Sequence, residues 1–467
     1  MAISILDTFL RTRPTYQEQF AKGKSIRQRT SRASLGKFTL RNRSQIVVDI
    51  LRQQAASRIA ELIPVRHARM AADPFAFYRG GAAIMARDLS QSSSPPITVQ
   101  LCGDMHVSNF GFFATTEHQL VFGINDFDET LPGNFDWDLK RLAASAMIAA
   151  EALGKDQTFG TDMVRHICYT YRKYLAHYAS VSYLDLARTY IDQKALVSAA
   201  RHFEPAGQRL LKKLIARAKA NTNQGVLEKL TVDTSAGRKL IDHAPLITHP
   251  ELSGRGNKIY DLINEGLVTY VNSLMSDRRR MFLNYRLIDA ARKAVGVGSV
   301  GTSCWVLYLE GRDSADPLFL QSKQAQPSVL APYFSDRSFR SQGERVVIGQ
   351  RLIQGAPDLF LGFGKSREID FYMRQLRDMK GGVSFGEGGI EPNEFADYAK
   401  LCGWALANAH ARSGDPAELA GYCGKGEQLD DALVAFAKNY SRQNLADYDT
   451  FLKAIKSGQL PCATDNF

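Results

Sequence analysis

The stretch LCGDMHVSNFGFF, residues 101–113, limits the folds open to this chain more than any other. Asp104 and Asn109 stand five positions apart, with Gly103 before them and a phenylalanine-rich run behind. The apolar runs Phe110–Phe113 and Leu120–Ile124 are joined by a polar turn, so residues 110–124 read as a hairpin. The hairpin ends in INDFDET, where Asp126 and Asp128 point the same way from an extended strand. A carboxylate and an amide before one apolar hairpin, and two carboxylates after it, form a cluster of oxygen donors. Such donors suit Mg²⁺, a hard cation that prefers oxygen and bridges phosphate groups. The plainer reading is loop polar groups that cap turns.

A second constellation lies far downstream. Gly296, Gly298 and Gly301 are spaced G-x-G-x-x-G, with Ser299 among them. The dinucleotide-binding form of that motif needs a strand before it and a helix after it. Here a helical pattern precedes it, and Thr302–Leu307 behind it is β-branched and aromatic. A glycine-rich turn in such a place leaves backbone N–H groups free to cover phosphates; a simple hairpin turn is the alternative. In PLFLQSKQA, Lys323 sits inside an apolar strand with Phe319 and Gln321 on its own face. A lysine in that position is costly unless it meets an anion, or snorkels out at an edge. Glu344, 21 residues on, opens a helical pattern.

The chain has 467 residues, 45% of them hydrophobic, enough for one large domain or two to three ordinary ones. No apolar run reaches the length of a membrane span, and the N-terminus lacks the pattern of a signal peptide. The six cysteines are scattered without metal-site spacing, so they are expected to be reduced structural thiols in a cytoplasmic protein. Of the net charge of +11, nearly all falls in residues 1–70, which hold 14 Lys and Arg against 4 Asp and Glu. An arm for nucleic acid or an acidic partner is one reading. A solvated extension with one amphipathic helix is the other, and it is favoured because residues 21–35 contain no aromatic to stack on bases.

Along the chain, residues 1–43 read as polar and partly irregular. A helix follows from Ser44, which could cap it. Residues 97–103 read as a buried strand. From Trp137 to about residue 290 the pattern is helical almost throughout; from Val295 it turns β-rich, with a helix near Glu344 and a further strand in IDFYMRQLRDMK. Helices return over 393–456.

The spacing of Asp104 and Asn109, followed by a hairpin and Asp126, resembles the catalytic and metal-binding segments of kinase-like phosphotransferases. The loop is most similar to that of the aminoglycoside- and choline-kinase branch, with Cys102 where those enzymes usually carry a histidine. That resemblance implies Asp104 as base or orienter, Asn109, Asp126 and Asp128 as magnesium ligands, Lys323 with Glu344 on phosphate, residues 296–301 as a lid, and Asp138 as a structural buttress. The pieces stand in the wrong chain order, and circular permutation resolves this. The helix in LCGWALANAHARSGD, 401–415, would be the one that ordinarily leads into the catalytic loop. The chain as a whole resembles a bacterial family known as domain of unknown function 2252, grouped with the kinase-like superfamily, through segments such as RHARMAADPFAFYRGGAA, INDFDETLPGNFDWDLKRLAAS and GERVVIGQRLIQGAPDLFLGF.

The fold this implies is α+β: a two-lobe, kinase-like, circularly permuted fold with a large, mostly helical lobe and a small antiparallel β lobe. Its expected parts are a basic extension and helix (1–60), a first part of the large lobe (61–290), a nucleotide-binding β lobe (291–385) and a second part of the large lobe (386–467). The expected function is ATP-dependent, Mg²⁺-dependent phosphotransfer to an unknown small-molecule or protein acceptor, with no membrane partner. The alternatives are an inactive nucleotide-binding or interaction module, and AMP transfer to a protein. Arg79 and Gly80, and Arg374, Arg377, Asp378 and Lys380, are further candidates near phosphate or the lobe junction, with structural salt bridging as the plainer reading.

Overall fold

Small side chains set the centre of the structure. The helix Asp136–Ala152 carries Ala143, Ala144, Ala146, Ala149 and Ala150, all fully buried. The helices Gln157–Tyr178 and Gln428–Lys456 therefore pack directly on it. The helix Pro392–Ser413 lies along Gln157–Tyr178, and Gly403 leaves room for the Ile167 carbonyl. These helices share one continuous apolar core with the hairpin at residues 110–124. The computed structural model describes residues 5–39, 43–235, 237–244, 246–249, 258–293, 300–334, 339–376, 379–386 and 388–463. The protein is α+β, its described residues 54% helical, with several antiparallel sheets.

The first strands lie within the helical body: β1 (Thr98–Leu101), β2 (Phe110–Ala114), β3 (Leu120–Ile124), β4 (Leu131–Asn134) and β5 (Ile191–Asp192). β1 pairs with β4, β2 and β3 form the expected hairpin, and β5 adds to β3. A separate hairpin joins β6 (Thr231–Thr234) to β7 (Gly237–Leu240). The main sheet contains β8 (Ile247–Thr248), β9 (Arg286–Lys293), β10 (Cys304–Glu310), β11 (Pro317–Gln324), β12 (Gly362–Ser366) and β13 (Ile369–Gln375). Its order is β12-β13-β11-β10-β9-β8, antiparallel throughout. β14 (Gly381–Gly382) then returns the chain to the free edge of β2.

Alternation along the strands gives the main sheet two distinct faces. Leu307, Leu309, Leu318, Leu320 and Met373 face one side, under the helix Lys258–Ser273. On the other face, cross-strand pairing places Cys304, Lys323 and Tyr372 in one row and Val306, Gln321 and Arg374 in the next. The helix Gln342–Gln354 joins β11 to β12 and packs on both the sheet and the helical body.

Several segments depart from the sequence reading. The span after Trp137 is not helical throughout: it contains β5 to β8, and RLIDAARK is β9 rather than helix. The glycine-rich segment is thus flanked by two paired strands, β9 and β10. The main sheet draws β8 and most of β9 from residues before 291. Ser44 is the first residue of its helix, not the cap; Arg43 holds that place without a side-chain capping bond.

Residues 5–36 are largely helical. The helix Tyr16–Ile26 begins with a capping box between Thr15 and Glu18 and packs against the helix Pro416–Cys423. Arg27 donates to the Tyr422 carbonyl at 2.9 Å and Arg32 to that of Cys423 at 3.0 Å, so these cations meet the negative end of that helix. Arg43 is buried between Asp88 and Asp447.

No described helix is long and apolar enough to cross a membrane. None of the cysteines is in a disulfide, and all but Cys462 are buried.

A Cβ at Gly23 would overlap the Glu418 carbonyl. Gly23→Val is expected to cost about 1–3 kcal/mol by overpacking, read as a lower urea midpoint. An unchanged midpoint would show that the N-terminal helix does not dock there.

Candidate functional site

The loop after β1 is held from beneath by a helix start. Asp138, in the first turn of Asp136–Ala152, accepts hydrogen bonds from the backbone N–H groups of Cys102, at 2.7 Å, and Gly103, at 2.9 Å. His410, from the helix Pro392–Ser413, stands 3.5 Å from Asp138 and 2.8 Å from the Tyr171 hydroxyl. Gly103 has φ +84°, and a Cβ there would overlap the Glu129 carbonyl. Glycine is therefore required where the loop passes residue 129.

Asp104 leaves this loop towards Arg141, whose Nε donates to its Oδ1 at 2.8 Å. Arg141 lies 4.5 Å from the Tyr78 ring and donates to the Tyr78 carbonyl, which fixes the guanidinium. Burial opposes its charge, but Asp104 outweighs burial and holds it above the usual arginine range. His106 Nε2 is 3.8 Å from Asp104. Burial, aided by Arg79 and Arg141, pushes the imidazole down to about 3, so it is neutral at pH 7 and this approach is no ion pair. Asn109 ties both ends of the hairpin together: its Nδ2 donates to the Asp104 carbonyl at 3.2 Å and the Asp126 carbonyl at 3.3 Å.

Lys323 crosses from the sheet to meet the hairpin. Its Nζ is 3.2 Å from Asp128 Oδ2 and 3.7 Å from Asp126 Oδ1. Burial opposes the ammonium, yet Asp126 and Asp128 hold it well above the usual lysine range. Tyr372, the cross-strand neighbour of Lys323, donates from its hydroxyl to Asp128 Oδ1 at 2.6 Å. The side chain of Asp126 is 45% exposed against 7% for Lys323, so Asp126 forms the solvent-facing mouth of the cluster. Its Oδ1 is nonetheless buried and accepts no hydrogen bond.

Other expectations fare differently. Glu344 does not pair with Lys323. Ser341 caps the helix at Gln342–Gln354, and Glu344 is bound by Arg340, at 2.7 Å from Nη2; the Arg340 bond holds its carboxyl below the usual range. Gly296, Gly298 and Ser299 lie outside the described residues, as do Arg377 and Asp378. Gly301 is described: its carbonyl accepts from Ile59 N at 2.7 Å, and its φ is +91°.

The sequence reading missed three residues of this junction. The buried Arg345, next to Glu344, donates to the carbonyls of Asp128 at 2.9 Å, Thr130 at 2.6 Å and Gln326 at 2.8 Å, and so clamps the segment behind the carboxylates. Tyr372 was legible only as the residue opposite Lys323 once β13 had been registered against β11. Glu129 lines a cleft beside Arg58 and Arg87, and accepts from Val329 N at 2.7 Å. Burial raises its carboxyl to about 7.

Among the described residues, no set of three or more acidic, His or Cys side chains is arranged to hold a metal unaided. A magnesium ion that arrives with phosphate needs only one or two carboxylates, the rest being phosphate and water. Asp126 and Asp128, with the buried, unbonded Asp126 Oδ1, fit that donor set.

Fold and site thus define an α+β protein whose buried lysine and paired aspartates meet between a sheet and a hairpin. The chain belongs to the family DUF2252, described as an uncharacterized protein conserved in bacteria, which matches residues 58–454. No curated protein and no solved structure matches it.

Asp138→Ala removes the acceptor for two buried N–H groups and is expected to cost about 2–4 kcal/mol by chemical denaturation. Glu129 gives a pH test. Its folded value, about 7, lies above the ordinary 4.5, so the protonated form favours folding. Wild-type stability should fall as pH rises between those values. Glu129→Gln should flatten that fall and be the more stable protein above pH 7; parallel curves would refute the assignment.

Proposed function

We propose that this protein is a kinase-like, magnesium-dependent phosphotransferase that uses ATP, with its parts in circularly permuted chain order. One observation carries the reading: Lys323 of the sheet meets Asp126 and Asp128 of the hairpin, although 195 residues separate Lys323 from Asp128. A buried amine beside carboxylates on an open mouth is what a metal–phosphate group requires from both sides. In this reading residues 61–290 and 386–467 make the large lobe, 291–385 the small lobe, and 1–60 a basic extension. The permuted order is supported by the end of the helix Pro392–Ser413. Ser413 accepts a hydrogen bond from Gln100 N, 313 residues earlier, just before the catalytic loop.

Asp126, Asp128 and Asn109 would hold magnesium, which when bound neutralises phosphate charge. Lys323 binds phosphate oxygens in place of its present carboxylate partners. Asp104, fixed by Arg141, orients the acceptor hydroxyl and takes its proton as that oxygen attacks the terminal phosphorus. The new P–O bond forms as the bond to ADP breaks, and ADP leaves with the electron pair. Glu344, bound to Arg340, takes no part. Positioning and charge neutralisation supply most of the acceleration.

Incubation with magnesium and ATP labelled at the γ- or α-phosphorus tests this. Release or transfer of the γ-label is expected, with a loss of about a hundredfold or more in Asp126→Asn. An α-label on protein would instead assign AMP transfer, and binding without either would assign a nucleotide-binding module. Absence of magnesium-dependent affinity for any purine nucleotide in calorimetry rejects the reading altogether.

A further inference from the structure

The face of the main sheet turned away from Lys323 does not close fully against its helix. Ser322 and Lys323 are consecutive on β11, so their side chains leave opposite faces. Strand pairing sets Trp305, Ser322 and Met373 in one row, with Arg292 at its β9 end. Ala290 and Leu307 stand opposite each other in the next row on that face. The helix Lys258–Ser273 roofs these rows, but three small residues, Gly266, Ala290 and Ser322, meet beneath it. They leave a cavity of about 220 Å³. That exceeds the roughly 150 Å³ that accommodates a benzene ring. Leu262, Leu267, Leu307 and Met373 give the cavity aliphatic walls.

Polar groups line the cavity beside Trp305, and those left free are donors. Gln324 Oε1 accepts from Ser303 N at 3.1 Å, which leaves the amide Nε2 to donate elsewhere. The Ser303 hydroxyl accepts from Trp305 Nε1 at 3.1 Å and keeps its own proton for another acceptor. The Ser322 hydroxyl has no hydrogen-bond partner among the described residues. The exposed guanidinium of Arg292 lies 5.7 Å from the centre of the Trp305 ring and makes no ion pair or hydrogen bond among the described residues. Arg292 is also the one charged residue among those lining the cavity, so no carboxylate there answers it. An aliphatic body would fill the walls, and an anionic head would accept from this end.

We infer that this cavity binds a medium-chain aliphatic monocarboxylate, its chain between Leu267, Leu307 and Met373 and its head on Arg292, Ser322 and Gln324. The site is separate from the Lys323 cluster, on the other face of the sheet, and stands whether or not that cluster binds nucleotide.

Calorimetry of the full-length protein with octanoate, hexanoate, octanol and octylammonium tests this. Octanoate is expected to bind about tenfold more tightly than hexanoate, which buries two fewer methylenes. It should also bind about tenfold more tightly than octanol or octylammonium, neither of which offers Arg292 a charge-assisted bond. Arg292→Gln, a change at an exposed position, should remove the preference for octanoate while octanol affinity stays within about twofold. Ser322→Leu breaks no hydrogen bond and fills the cavity, and should weaken octanoate and octanol alike by at least about tenfold. If that variant fails to fold, Arg292→Gln and the chain-length comparison decide. Octanoate should also shift the tryptophan emission of the wild type, a change lost in Trp305→Phe. No octanoate binding, equal affinity for octanol or octylammonium, a preference that survives Arg292→Gln, or affinity indifferent to chain length overturns the site.

Discussion

The site depends on one buried amine being kept charged. Lys323 is nearly inaccessible, and an isolated ammonium there would cost several kcal/mol in lost hydration. Asp126 and Asp128 offset that cost, and the Tyr372 hydroxyl steadies Asp128 in turn. The same contacts join the main sheet to the hairpin, so the amine proposed to bind phosphate also seats the sheet. Arg345 reinforces the joint by gripping three backbone carbonyls, two of them in the segment directly behind the carboxylates.

The acidic half of the site is fixed by other means. Asp138 and Arg141 lie one turn apart on the same helix: the first receives the backbone of the loop, the second holds the Asp104 carboxylate. Asn109 then bonds across to the Asp126 carbonyl. The loop is thereby shaped from beneath, set back from the open mouth that Asp126 forms.

The parts legible from sequence were those in which local pattern and tertiary environment agree. The hairpin, β10, β11 and β13 alternate or run apolar, and the C-terminal helices keep their period. Lys323 stood out because a lysine within an apolar strand demands an anion; its partners proved to be the hairpin aspartates. The nearer choice, Glu344, was captured by Arg340 four residues before it, a local contact that a long-range expectation overlooked. β9 was misread because RLIDAARK is made of helix formers. Its pairing with β10, and the burial of Ala290 and Ala291, decide its state, as strand preference is largely a matter of tertiary fit. The N-terminal helix was hidden for a related reason: it docks through arginines on carbonyls and a close-fitting glycine, which leave little trace in hydrophobic periodicity.

The separation of 195 residues between Asp128 and Lys323 also has a meaning in time. A ribosome adds about 5–20 residues per second, so roughly 10–40 s pass between synthesis of the hairpin and arrival of the lysine. During that interval the emerging chain carries its aspartates facing water, with no counter-charge from the sheet. Assembly of the junction between sheet and hairpin is therefore among the last events of biogenesis, set by translation speed as much as by the folding of either half.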